Sequence, residues 1–188
     1  RQGFRARLGR AIGAGVRLGI ARPSADRAVE DLELGLELGD GRLDAPRAAG
    51  LGLDVAAAGA VAREAAEGEV GQAANDNDPA QVVVSGHKAA VERALEIAKA
   101  KGAKRAILLP VSAPFHCALM DPAARAMEAA LAGVEIRTPA VPVVANVRAE
   151  AVSDPEVIRR LLVEQVTGAV RWRESVAWMA AQGVGEFW

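Results

Sequence analysis

Between Asp54 and Val111 the apolar residues change period several times, and the resulting order of elements restricts the fold more than any other feature of the chain. Asp54 caps an alanine-rich helix that runs to about Glu67 and stops at Gly68. Val70 to Ala74 reads as a short strand, Asn75-Asp76-Asn77-Asp78-Pro79 as a turn, and Gln81 to Ser85 as a β-branched strand. From His87 to Lys101, residues Val91, Ala94, Leu95 and Ala98 recur at helical spacing, and Gly102 ends the run. Arg105 to Val111 is then a strand whose apolar centre, Ala106-Ile107-Leu108-Leu109, predicts burial on both faces. Helix, strand, strand, helix, strand is a ferredoxin-like unit that lacks only its first strand.

The second half is α/β on a different plan. Asp121-Pro122 predicts an N-cap and first helical position, opening a helix through Met127 and Leu131 to a stop at Gly133. Two short strands are expected at Val134 to Arg137 and Val141 to Val147. Asp154-Pro155 opens another helix, in which Val157, Ile158, Leu161, Leu162 and Gln165 to Val166 trace a stripe that ends near Gly168. A last helix carries Trp172, Val176 and Met179 and stops at Gly183, after which Val184 to Trp188 reads as the start of a buried strand.

Residues 1–50 behave differently. They hold nine of the 19 arginines and nine of the 19 glycines but none of the lysines, and the glycines interrupt any helical period. Leu32 to Leu38 alternates like a half-buried strand and equally like low-complexity sequence. Gly13, Gly15 and Gly19 lack both the lysine of a phosphate-binding loop and a preceding apolar strand, so they read as coincidence. The 188 residues suffice for one domain or two small ones. A formal charge of -1 and an aromatic content of 3% argue against nucleic acid as a partner. One cysteine allows neither an internal disulfide nor a multi-thiolate zinc site, and no apolar run reaches membrane-spanning length, so a cytoplasmic location is expected.

Two histidines are available for chemistry. His87, with Ser85 just before it, reads as a turn or cap residue. His116 follows a buried strand in the loop Pro110-Val111-Ser112-Ala113-Pro114-Phe115-His116-Cys117, where two prolines stiffen the backbone; it is placed either as a general base or as a packed structural histidine. Cys117 beside it reads as a small buried hydrophobe rather than half of a Cys/His pair. None of Ser24, Ser85, Ser112, Ser153 or Ser175 lies in the Gly-x-Ser-x-Gly frame of a nucleophile elbow. The scattered histidines and cysteine give no zinc spacing.

Four ordered segments carry a family resemblance. Ala73 to His87, Pro110 to Met120 (Pro-Val-Ser-Ala-Pro-Phe-His-Cys-Ala-Leu-Met), Thr138 to Val147, and Val170 to Val176 with Met179 and Gly183 resemble malonyl-CoA:acyl carrier protein transacylases. The resemblance covers about Leu51 to Trp188. It implies an α/β-hydrolase-like acyltransferase domain carrying a ferredoxin-like subdomain, here with residues 51–111 as the incomplete subdomain and 112–188 as the C-terminal part of the large domain. The implied chemistry is ping-pong acyl transfer through an acyl-serine, with His116 as general base and backbone amides holding the oxyanion. Phe115 would then exclude a methyl branch on the acyl group, and Asn75, Asn77 and Asn146 are further substrate-binding candidates. No cofactor is implied; the substrates would be malonyl-CoA and phosphopantetheinylated acyl carrier protein.

The family's Gly-His-Ser-Leu-Gly elbow, glutamine-containing oxyanion loop and malonate-binding arginine would precede Leu51, and residues 1–50 contain none of them in recognisable form. This chain alone is therefore expected to be inactive. An out-of-frame reading of a GC-rich gene explains the composition of residues 1–50, with a genuinely non-catalytic relative as the competing explanation, and a C-terminal truncation is expected as well. Carrier proteins are acidic, so Lys88, Arg93, Lys99, Lys101 and Lys104, on or beside one helix, form a candidate docking face; a solvated helix face is the alternative, since Glu92 and Glu96 share it. A monomer is expected. The other functional reading is a carrier-protein or acyl-CoA binding module without catalysis, or a non-functional product.

Overall fold

The computed structural model describes residues 47–111 and 113–187; the glycines at 13, 15 and 19, the 32–38 alternation, Ser24, Ser112 and Trp188 lie outside the described residues. The expected gap in the ferredoxin-like unit is filled. Arg47–Leu51 forms a strand, β1, followed by helix α1 (Val55–Ala66), strands β2 (Gly71–Asp78) and β3 (Gln81–Gly86), helix α2 (Lys88–Ala100) and strand β4 (Ala106–Leu109). The sheet order β2-β3-β1-β4, antiparallel throughout, is that of a complete ferredoxin-like unit. The boundary expected at residue 50 therefore falls inside the central strand. The short run Arg-Ala-Ala-Gly-Leu has little β propensity, and it is pairing on both sides that makes it a strand.

One face of this sheet is packed by both helices. Ala58, Val61, Ala62 and Ala65 of α1 and Val91, Ala94 and Ala98 of α2 meet Ala49, Leu51, Val82 and Val84 in one buried cluster. Small side chains let the helices lie close to the sheet, and Gly86 permits a tight crossing: a Cβ there would overlap the Val70 carbonyl. Asp54 caps α1 as expected, its Oδ1 accepting from Ala57 N at 2.8 Å. At the other end Arg93 donates to the Ala65 and Ala66 carbonyls, groups that the helix leaves unpaired. The expected burial of β4 on both faces fails: Ile107 and Leu108 are exposed, because β4 is an edge strand with helices on one side only. The expected turn at Asn75–Pro79 also shrinks. β2 continues to Asp78, and Pro79-Ala80 alone turns the chain, with Asp78 Oδ1 accepting from Ala80 N. Two register irregularities, at Ala73/Asn75 and Asp76/Asp78, let this polar stretch stay extended.

Beyond β4, a 3-10 turn (Ala118–Met120) runs directly into α3 (Asp121–Ala132). Asp121 is the first helical residue here, with Met120 at the cap position, and it pairs with Arg125 one turn on. Residues 134–137 form no strand; a hairpin of β5 (Val143–Ala145) and β6 (Glu150–Val152) follows instead. Pro139 and Pro142 cannot donate to a ladder, which confines the strand to the residues after them. Helix α4 (Pro155–Thr167) is capped by Asp154, as its Oδ1 accepts from Val157 N, and packs on α3; α5 (Trp172–Ala181) completes the order. The 184–187 segment is not a strand. The core of this part is small: Ala113, Met120 and Ala123, with Val166 against them.

Three contacts tie the two parts together along β2. Asp76 N donates to Val170 O and Val170 N to Ala74 O, a parallel bridge on the outer edge of the strand. Arg173 of α5 grips the Asp76 carboxylate with Nε and Nη2, at 2.7 Å for the shortest contact, and Asp76 is only 4% exposed. Gln72 Oε1 accepts from Ala118 N at 2.7 Å.

Candidate functional site

His116 sits where β4 has ended and the 3-10 turn begins, with a backbone φ of 61°. That left-handed conformation costs about 1–3 kcal/mol for a non-glycine residue and persists only where the surroundings fix it. Its ring Nδ1 lies 3.0 Å from the backbone carbonyl oxygen of Gln165 near the end of α4. A carbonyl can only accept, so Nδ1 carries the hydrogen and Nε2 of the neutral ring keeps its lone pair. This geometry suits a base that takes a proton at Nε2 while its cation is stabilised at Nδ1. Phe115 stands beside it, 44% exposed, with ring centroids 6.4 Å apart.

Gln165 has no sequence signature for this role because it works through its main chain. The visible signal was a glutamine in the apolar stripe of α4; its side chain donates to Gly168 O at 2.9 Å and holds the helix end that presents the carbonyl.

Cys117 is fully buried and its thiol donates to Pro114 O at 3.1 Å. Burial pushes its pKa up, partly offset by a backbone hydrogen bond from Leu119. A neutral thiol turned away into the loop is no partner for the adjacent histidine. In the folded chain Cys117 is expected to resist iodoacetamide at neutral pH and to alkylate within minutes once guanidinium unfolds it; rapid labelling of the native chain would contradict this placement.

The other candidates divide. Asn75 and Asn77 are half-buried on β2, and among the described residues neither side-chain amide has a hydrogen-bond partner. Asn146 instead belongs to a packed junction: its carbonyl accepts from Arg171 N, and its side-chain oxygen is 3.1 Å from the Ser175 hydroxyl. Ser175 is buried and also lies 2.8 Å from Arg171 O, so it serves as a donor at the start of α5. Ser85 is buried in β3. His87 is not a side-chain cap of α2; its Nδ1 accepts from Val70 N and its own N–H donates to Val70 O, both at 2.9 Å, which is a structural tie. The basic helix face is largely neutralised. Arg93 meets Glu67 and Glu69, Lys99 meets Glu96, and Lys101 meets Glu64. Among the described residues no group of three His, Cys, Asp or Glu could hold a metal ion, and no helix is long and apolar enough to cross a membrane.

No protein-family model matches the chain. Individual relatives do. The malonyl CoA-acyl carrier protein transacylase of Escherichia coli O157:H7 is 52% identical over 137 residues, which are 73% of this chain and 44% of the relative. The solved acyl-carrier-protein S-malonyltransferase of Burkholderia pseudomallei superposes with a TM-score of 0.79 at 43% identity, covering 88% of this chain and 54% of that one. A malonyl-transacylase solved in complex with its type II polyketide acyl-carrier protein superposes with a TM-score of 0.79 at 41% identity, over 85% of this chain and 52% of the other. The chain thus spans less than half the length of the curated relatives it matches. On that sequence identity and that shared fold, it belongs to the malonyl CoA-acyl carrier protein transacylase family.

Proposed function

We propose that this chain supplies the general-base side of a malonyl-transfer site. The observation that carries the reading is the His116 ring, fixed through Nδ1 by the Gln165 carbonyl with Nε2 left as the basic nitrogen. In the reaction of the whole protein, Nε2 takes the proton of a serine hydroxyl as its oxygen attacks the malonyl thioester. The carbon–sulfur bond breaks, the histidine returns the proton to the departing CoA sulfur, and malonyl remains as a serine ester. A phosphopantetheine thiol of an acyl carrier protein then gives its proton to the same nitrogen and takes the acyl group, which regenerates the serine. Phe115 narrows the space beside the acyl carbon, and the amides of Asn75 and Asn77, without a partner among the described residues, offer hydrogen bonds to substrate oxygens. No cofactor takes part. A monomer in the cytoplasm fits this chemistry. With Arg93, Lys99 and Lys101 of the α2 face paired to carboxylates, contact with carrier protein relies less on that face than its composition implied.

The 188 residues contain no Gly-x-Ser-x-Gly frame, so the chain as given transfers no malonyl on its own. The test is a graft in which the 137 aligned residues of the Escherichia coli relative are replaced by those of this chain. The graft is expected to move malonyl from malonyl-CoA to holo carrier protein. A folded graft that binds carrier protein without transferring would favour the non-catalytic binding module.

A further inference from the structure

We propose that Gln72 is a positioning residue for His116, acting across the junction between the ferredoxin-like unit and the loop that carries the histidine; this rests on the reading of His116 as the base. The 3-10 turn Ala118–Met120 begins two residues after His116, and its leading N–H groups have no partners within the turn. Cys117 occupies the cap position and makes no side-chain cap, since its thiol points back to Pro114 O. Ala118 N is satisfied instead from 46 residues away, by Gln72 Oε1 at 2.7 Å.

The effect is to hold His116 from both sides. Gln165 fixes the ring, and Gln72 fixes the backbone two residues on at Ala118, so that His116, whose own φ is 61°, is kept from relaxing toward negative φ as it would if the turn came loose. A ring hydrogen bond at 3.0 Å tolerates little backbone drift, so loss of the Gln72 contact should be read out at the imidazole. Gln72 itself is exposed and contributes nothing to the buried cluster of its own sheet, so its removal leaves that core intact.

The experiment is nitrogen-15 NMR on the full chain, following the Ala118 amide and the His116 ring nitrogens in Gln72→Ala, Gln72→Asn and Gln72→Glu. Glutamate keeps an acceptor at the same reach; asparagine keeps the amide but falls one methylene short. Amide exchange at Ala118 is expected to rise about fivefold in the alanine and asparagine variants. In both, the ring signals should move from a single Nδ1-protonated form toward an average of the two tautomers, whereas Gln72→Glu behaves as the parent. An unchanged ring in Gln72→Ala or Gln72→Asn, or a glutamate variant that behaves like alanine, overturns the proposal. These signals do not depend on turnover, so they stand or fall separately from the transfer assay that tests His116 as a base.

Discussion

Replacing His116 with alanine in the grafted transacylase is expected to lower kcat by about 100- to 10,000-fold, with KM changed little. In the proposed mechanism the imidazole accepts a proton as the serine attacks and returns it as the thiolate leaves, so its loss would remove stabilisation that exists only in the transition state. Gln165→Ala provides the contrast. The group that fixes the ring is the main-chain carbonyl, which survives the substitution, so only the small effect of freeing the Gly168 carbonyl is expected. Similar losses in both variants would mean that the site needs the Gln165 side chain and that the tautomer is not set as described. Steady-state kinetics with malonyl-CoA and holo carrier protein resolve the two outcomes.

The second large effect is on stability. Arg173→Ala is expected to lower the midpoint of urea unfolding clearly, and by more than the loss of its partner does, because the buried carboxylate is the group left behind. The reason is asymmetric burial: Asp76 is 4% exposed and its carboxylate would lose its cationic partner, whereas the Arg173 side chain is 38% exposed and can reach water. Asp76→Ala should therefore be milder, about 1–2 kcal/mol. The double substitution Asp76→Leu with Arg173→Met should recover to within about 1 kcal/mol of the parent, since well-packed apolar groups can replace such a pair without leaving an orphan charge. Equal single effects that simply add in the double variant would show that the two side chains do not act as a pair.

Much of this fold was legible because its helices announce themselves locally. Asp54 and Asp154 cap where a short acceptor precedes an apolar period, and Gly68, Gly102, Gly133 and Gly183 fall where the helices stop. Strands were harder, since pairing rather than residue type decides them. Arg47–Leu51 looks featureless until β3 and β4 flank it, and Asn75 to Asp78 looks like a turn until β3 and Val170 pair with it. Val134 to Arg137 has the composition of a strand and, among the described residues, no partner. The site followed the same division. His116 stands out as a candidate from its stiff loop after an apolar strand, but the two groups that hold it do not: a backbone carbonyl has no sequence signature, and Gln72 lies 46 residues from the amide it caps. Asn146 shows what a family-like segment does not reveal, since its side-chain oxygen meets the Ser175 hydroxyl where α5 begins.

Intact-mass spectrometry after incubation with malonyl-CoA distinguishes a chain that holds the proposed base without the nucleophile of an acyl-transfer site from one that holds both. The chain as given is expected to remain unmodified, while the graft gains one malonyl group on the serine contributed by the Escherichia coli relative. A malonyl ester on any serine of this chain, or none on a folded graft, would contradict the proposal.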